Sequence, residues 1–182
     1  MSFTQLKRTA ILFCAAMVVQ VSAVPTADTV EIIPGPGVPS LQSLGLTSAE
    51  IFRMSAERSV TARNEVETSL TKRIATTCQN IAGHTVSAAN AAACVTFLRN
   101  LGTQPCGVSG DNIIFCQAGD AAIWGSNVGG GPSGASSFCS DVAIGAQNIL
   151  NACTMSNGQV EGFAAANGNG DLVVSIEPLT GA

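Results

Sequence analysis

Apolar residues are spread along this 182-residue chain in four textures. Thr9–Val21, "TAILFCAAMVVQV", is an almost unbroken apolar run. Val24–Gly45 holds four prolines and three glycines with few apolar residues between them. Pro and Gly break regular elements, so this stretch is expected to stay extended or disordered. Thr47–Arg73 has neither Pro nor Gly, mixes both signs of charge, and is sparse in apolar positions. It opens on Thr47 with Glu50 three residues later, the pattern of a capping box. A solvated helix is expected here, marginal without a partner to pack on.

From Ile74 the pattern is that of a folded domain. Val86–Gly102 places Ala91, Cys94, Val95, Leu98 and Leu101 on one helical face, with Ser87 as N-cap and Gly102 as C-cap. Ser136–Cys153 does the same with Cys139, Val142, Ala143, Ala146, Leu150 and Cys153. Asp141 falls in its first turn, where a negative charge suits the helix dipole. "DNIIFCQAG" and "AAIWGSN" read as a strand pair around Gly119-Asp120, and "QVEGFAAA" and "DLVVSIE" as a second pair around Asn167–Gly170. "IATTCQNI" is a further strand candidate. The expected fold class is α+β, an antiparallel sheet carrying two helices.

Charge and cysteine usage then divide the chain at one place. Seven of the eight Lys and Arg residues lie at or before Arg73, and six of the seven cysteines lie after it. Lys7 and Arg8 ahead of the apolar run, and the small-residue pattern Val21–Ala23 behind it, make residues 1–23 a signal peptide cleaved after Ala23. The run is too short for a membrane span and meets Pro25 at once. Lys72-Arg73 sits at the composition break and matches the dibasic site of a kexin-type processing protease. Residues 24–73 are then a pro-segment, and 74–182 the mature domain. Against Arg99 that domain sets Asp111, Asp120, Asp141, Asp171, Glu161 and Glu177, a balance of −5. Without lysine it cannot neutralise many phosphates, which argues against nucleic acid and anionic membrane surfaces as partners.

Cys78, Cys94, Cys106, Cys116, Cys139 and Cys153 remain after the signal is removed. An even set in a small secreted domain implies three disulfides, worth several kcal/mol of stability in about 100 residues. No C-x-x-C pair and a single histidine argue against zinc, and no cofactor is expected. Cys139 and Cys153 share one predicted helix, about 21 Å apart at 1.5 Å per residue. A disulfide spans at most about 7 Å between Cα atoms, so each must bond outside its own helix. The other connectivities stay open.

Catalytic chemistry finds little to stand on. His84 is the only base for a nucleophile triad. Asp111, Asp120 and Asp171 occupy turn positions where Asp is favoured locally, and no carboxylate pair is singled out. A ribonuclease would need His84, Glu161 and Arg99 together, and nothing in their spacing joins them. "GGGPSG", Gly129–Gly134, lacks the Lys and Ser/Thr of a phosphate loop. No catalytic residue is assigned. Trp124, the only tryptophan, fits either the core or a binding anchor. Trp124 and Asp120 are the candidate binding residues.

A signal peptide, a pro-segment ending in "LTKR" and an acidic six-cysteine domain resemble fungal small secreted cysteine-rich effectors. "SSFCSDVAIGAQNILNAC" followed by "GQVEGFAAANGNGDLVVSI" is similar in layout to virally encoded killer toxins of smut fungi and to necrosis-inducing effectors. The resemblance covers residues 74–178. The killer-toxin likeness implies an α/β sandwich and ion-channel interference. The chain departs from it in having no lysine after Lys72, so that activity is not carried over. The expectation is an extracellular, non-enzymatic effector or toxin-like protein that meets a host or competitor protein or cell surface and does not insert stably into membranes. A small secreted hydrolase or ribonuclease and a structural cell-surface protein are the alternatives.

Overall fold

A hairpin and a long C-terminal strand build the centre of the sheet. β5 (Asn112–Ala118) and β6 (Ala121–Asn127) pair across the Gly119-Asp120 turn, as the alternation and turn residues require. β10 (Asn169–Pro178) pairs with β6 on one side and with β9 (Gly162–Ala166) on the other. β1 (Ile32–Pro34) closes one edge against β5, and β2 (Thr77–Cys78) the other against β9. The result is one six-stranded sheet in the order β1-β5-β6-β10-β9-β2, every neighbour antiparallel. Two short ribbons accompany it: β3 (Val86–Ser87) with β8 (Gln159–Val160), and β4 (Pro105–Val108) with β7 (Ala135–Phe138). This computed structural model describes residues 30–61, 74–129, 131–167 and 169–179. Ala23, Lys72 and Arg73, with the signal peptide, lie outside the described residues.

The fold is therefore α+β, with the two expected helices on the sheet and, among the described residues, a third α-helix in the segment after Thr47 where a helix was also expected. α2 (Ala88–Asn100) begins at the predicted cap: the Ser87 hydroxyl accepts the Asn90 N–H at 3.4 Å. Gly102 follows the helix at φ +58°, the left-handed position that favours glycine. α3 (Cys139–Cys153) starts at the first residue of its apolar stripe, three residues later than the predicted span Ser136–Cys153. Ser136–Phe138 are drawn into β7 instead, where Ser137 pairs with Cys106. The first amides of α3 donate to backbone carbonyls of the loop after α2, Cys139 to Gln104 at 2.8 Å and Ser140 to Gly102 at 3.0 Å. Those carbonyls replace a side-chain cap. Gly145 lets α3 settle closely on β9: a Cβ there would stand 2.7 Å from the Ala165 carbonyl oxygen.

Three disulfides join the layers. Cys94 of α2 bonds Cys116 of β5, Cys139 at the start of α3 bonds Cys106 of β4, and Cys153 at its end bonds Cys78 of β2. Their Cα separations are 5.0–5.6 Å. Neither Cys139 nor Cys153 bonds within its own helix, as the helical rise demands. Every predicted stripe residue of α2 and α3 is buried.

Residues 30–45, expected to be extended or disordered, instead form β1 and a 3-10 turn at Gln42–Leu44 that turns the chain back toward the domain. Ile32 and Leu41 are buried against the core. α1 (Ser48–Thr61) follows, with the capping box in place: the Thr47 N–H and hydroxyl both donate to Glu50 Oε2, at 2.9 and 2.8 Å. Ile51 on α1 is fully buried. The partner that a marginal helix needs is supplied by α2, on which α1 packs.

Candidate functional site

Strand alternation assigns each side chain of the sheet to one face. Cys116 faces α2 through its disulfide, so Ile123 and Ile176 in the same row face the helices too. The next row must point the other way. It runs Ile114–Trp124–Ser175–Phe163–Thr77, straight across β5, β6, β10, β9 and β2. Ser126, Val173 and Ala165 continue the face on one side of it, and Ile33, Gln117, Ala122 and Glu177 on the other. Among the described residues, all three helices pack on the opposite side. Ile114, Trp124 and Phe163 are half-buried, and Ile33 is 46% exposed. The row mixes apolar and polar residues and lies half-buried on the sheet face away from the helices, where Ala122, Ala165 and Val173 are buried.

Trp124 is the anchor of that row and takes no part in the helix-side core. Its indole nitrogen is buried and has no hydrogen-bond partner among the described residues. An unmet buried donor costs roughly 1–3 kcal/mol. Beside it the Ser175 hydroxyl donates to the Glu177 carboxylate, the polar element of the face. Ile114 and Phe163 carry no marking in the sequence: a β-bulge between Ile114 and Cys116 breaks the alternation of β5 and turns Ile114 to the face opposite Cys116. The missing information was which strands stand next to one another.

Asp120 has a different setting. Its carboxylate accepts the Ser87 N–H at 2.9 Å and the Asn90 side-chain amide at 2.8 Å. It clips the β5–β6 turn to the N-terminus of α2, and no ligand is needed to explain it. His84 lies in the turn just before β3 and α2. Arg99 lies at the far end of α2, about 17 Å along the helix from its first residue. Burial holds the Arg99 pKa down, and Arg58 of α1 adds to the shift. Glu161 is buried and accepts the Ile81 N–H at 2.8 Å, which fixes the chain as it leaves the Cys78–Cys153 corner. The structure does not bring His84, Glu161 and Arg99 together. Among the described residues no three His, Cys, Asp or Glu side chains form a metal site. Gly131–Ser133 of the glycine-rich stretch form a short 3-10 turn leading into β7.

A shallow groove opens where α1 meets the helical layer. Phe52 and Ser55 of α1, Ala88 and Ala92 of α2, and Leu150 and Asn151 of α3 line it, with a volume of about 420 Å³. It is mostly apolar and contains no titratable side chain.

Fold, crosslinks and surface together define a disulfide-stapled α+β domain whose distinctive feature is an apolar, aromatic sheet face rather than a cluster of reactive groups. The chain belongs to the family described as domain of unknown function DUF8794, whose model matches residues 72–178. No curated protein and no solved structure matches it. The matched span begins at the Lys72-Arg73 pair and leaves out β1 and α1.

Proposed function

We propose that this is a secreted, non-enzymatic effector or toxin-like protein, and that it binds a protein on a host or competitor cell through the face of the sheet away from the helices. The observation that carries this reading is the Ile114–Trp124–Phe163 row with its unmet indole N–H. Aromatic residues dominate binding energy at interaction surfaces. Three disulfides fit an oxidising, extracellular setting. No helix among the described residues is long and apolar enough to cross a membrane. The scarcity of cations after residue 73 favours a protein target over nucleic acid. Maturation after Arg73 completes the reading. It is supported by the composition break and by a family model that starts at residue 72.

The test applies purified secreted protein to cells of candidate hosts and competing microorganisms and scores binding and cell response. Trp124→Ala, with its disulfides verified by intact mass, should lose about 2 kcal/mol or more of binding, some 30-fold. His84→Ala should stay within a few-fold of the parent. A loss beyond about a hundredfold in His84→Ala, with Trp124→Ala unaffected, would move the protein to the hydrolase or ribonuclease class.

A further inference from the structure

β1 and α1 form a strap that the mature domain does not need for its covalent integrity. All three disulfides lie between Cys78 and Cys153, so the only covalent link between the strap and the domain is the backbone through residues 62–73. The strap nonetheless occupies two surfaces that a free protein would leave open. β1 lies antiparallel on the edge of β5, with Ile32 opposite Ala118 and Pro34 opposite Cys116, and the Gly35 N–H donates to the Phe115 carbonyl at 2.9 Å. α1 packs on α2, whose residues 93–98 are buried without a break. Helical residues turn 100° at each step, so six consecutive buried positions cannot all face the sheet. Part of that burial depends on the helices beside α2, α1 among them.

We propose that the surface under the strap, the β5 edge with the adjoining face of α2, is a docking site for an extended segment of the target protein, and that the strap is its built-in occupant. This rests on the maturation reading above. The strap itself shows the chemistry the site accepts: an antiparallel strand with an aliphatic side chain turned inward at the Ile32 position, then glycine where the chain crosses Ile114. The fit there is tight, because a Cβ on Gly35 would stand 1.7 Å from the Ile114 carbonyl oxygen. Main-chain pairing at a sheet edge supplies affinity, and the pocket for the alternate side chain supplies selection. While the chain is continuous, the strap sits at an effective concentration of order 1 mM. After a cut it falls to the protein's own concentration, about a thousandfold lower at 1 µM, and the site becomes available. An uncovered edge strand would otherwise invite self-pairing, which the strap prevents during secretion.

The experiment uses the secreted full chain. A kexin-type protease cuts it at Lys72-Arg73, and size-exclusion chromatography at nanomolar concentration follows the two parts. The strap should separate. A fluorescent peptide of residues 30–61 should rebind the cut domain saturably, and the same peptide with Gly35→Val should bind about 100-fold more weakly. Excess parent peptide should block binding of the cut protein to target cells, and the Gly35→Val peptide should not. A strap that stays bound through dilution, or cell binding indifferent to saturating peptide, overturns the proposal. A cut domain that dimerises and is dissociated by the peptide would make a second copy the occupant, and also overturns it. The uncut chain carrying Gly35→Val separates the two readings. It should bind labelled 30–61 peptide even where the protease fails to cut, so a failure of maturation is not mistaken for the absence of the site.

Discussion

Replacing Cys78 and Cys153 together by Ala asks what this domain gains from its corners. The bond spans 75 residues of sequence. With the other two bridges intact, the shortest chain path between its ends runs through Cys106–Cys139 and is roughly 40 residues, for which loop closure is worth about 4 kcal/mol. Packing adds less than at a fully buried bridge, since Cys78 is exposed although Cys153 is buried. The Cys94–Cys116 pair is the contrast. It spans only 22 residues, worth about 3.4 kcal/mol by the same relation. Both of its sulfurs are fully buried between α2 and the sheet, and removing them leaves a void that adds about 1–2 kcal/mol. The shorter loop should therefore cost at least as much as the longer one. Urea unfolding of the secreted protein measures both, and the denaturant slope should rise more in the Cys78/Cys153 variant, whose unfolded chain gains more freedom. A loss below about 1 kcal/mol there with an unchanged slope would refute the loop-entropy reasoning. A Cys94/Cys116 variant clearly more stable than its counterpart would refute the burial reasoning.

Edman sequencing of secreted protein from a kexin-competent host should begin at Ile74, and a Lys72→Ala, Arg73→Ala variant should keep its pro-segment. A chain starting at Val24 in the unmodified protein would refute that maturation. Asp120→Ala removes the clip to Ser87 and Asn90 and should cost about 1 kcal/mol in urea unfolding, with Asp120→Asn recovering part of it. The Glu50 pKa lies below the ordinary carboxylate range, chiefly through the hydrogen bond from the Thr47 hydroxyl and then that from its N–H. Its contribution to α1 is therefore complete above the unfolded-state value and is lost as the pH falls through the depressed one. Hydrogen exchange in residues 48–61 should speed up relative to the Cys94–Cys116 core on acidification below about pH 4, and Glu50→Gln should remove that pH dependence. A dependence that survives Glu50→Gln would place the sensitive group elsewhere.

Much of the domain was legible because local rules and tertiary structure agree there. The stripes of α2 and α3, the Ser87 cap and the β5–β6 hairpin follow from periods of 3.6 and 2 and from turn chemistry, all properties of neighbouring residues. The exclusion of a Cys139–Cys153 bond needed only the rise of a helix. Tertiary structure alone decided the rest. Ser136–Phe138 carry the approach to a helix in sequence but pair with β4, because the carbonyls of residues 102 and 104 start α3 in their place. The Pro- and Gly-rich stretch before residue 46 cannot hold an element by itself, yet β5 offers it an edge and the core a pocket for Ile32. Which face of the sheet Trp124 takes, and that Ile114 and Phe163 share it, was decided by strand order. Which residues meet across strands is set by pairing between distant segments, and no local pattern encodes that.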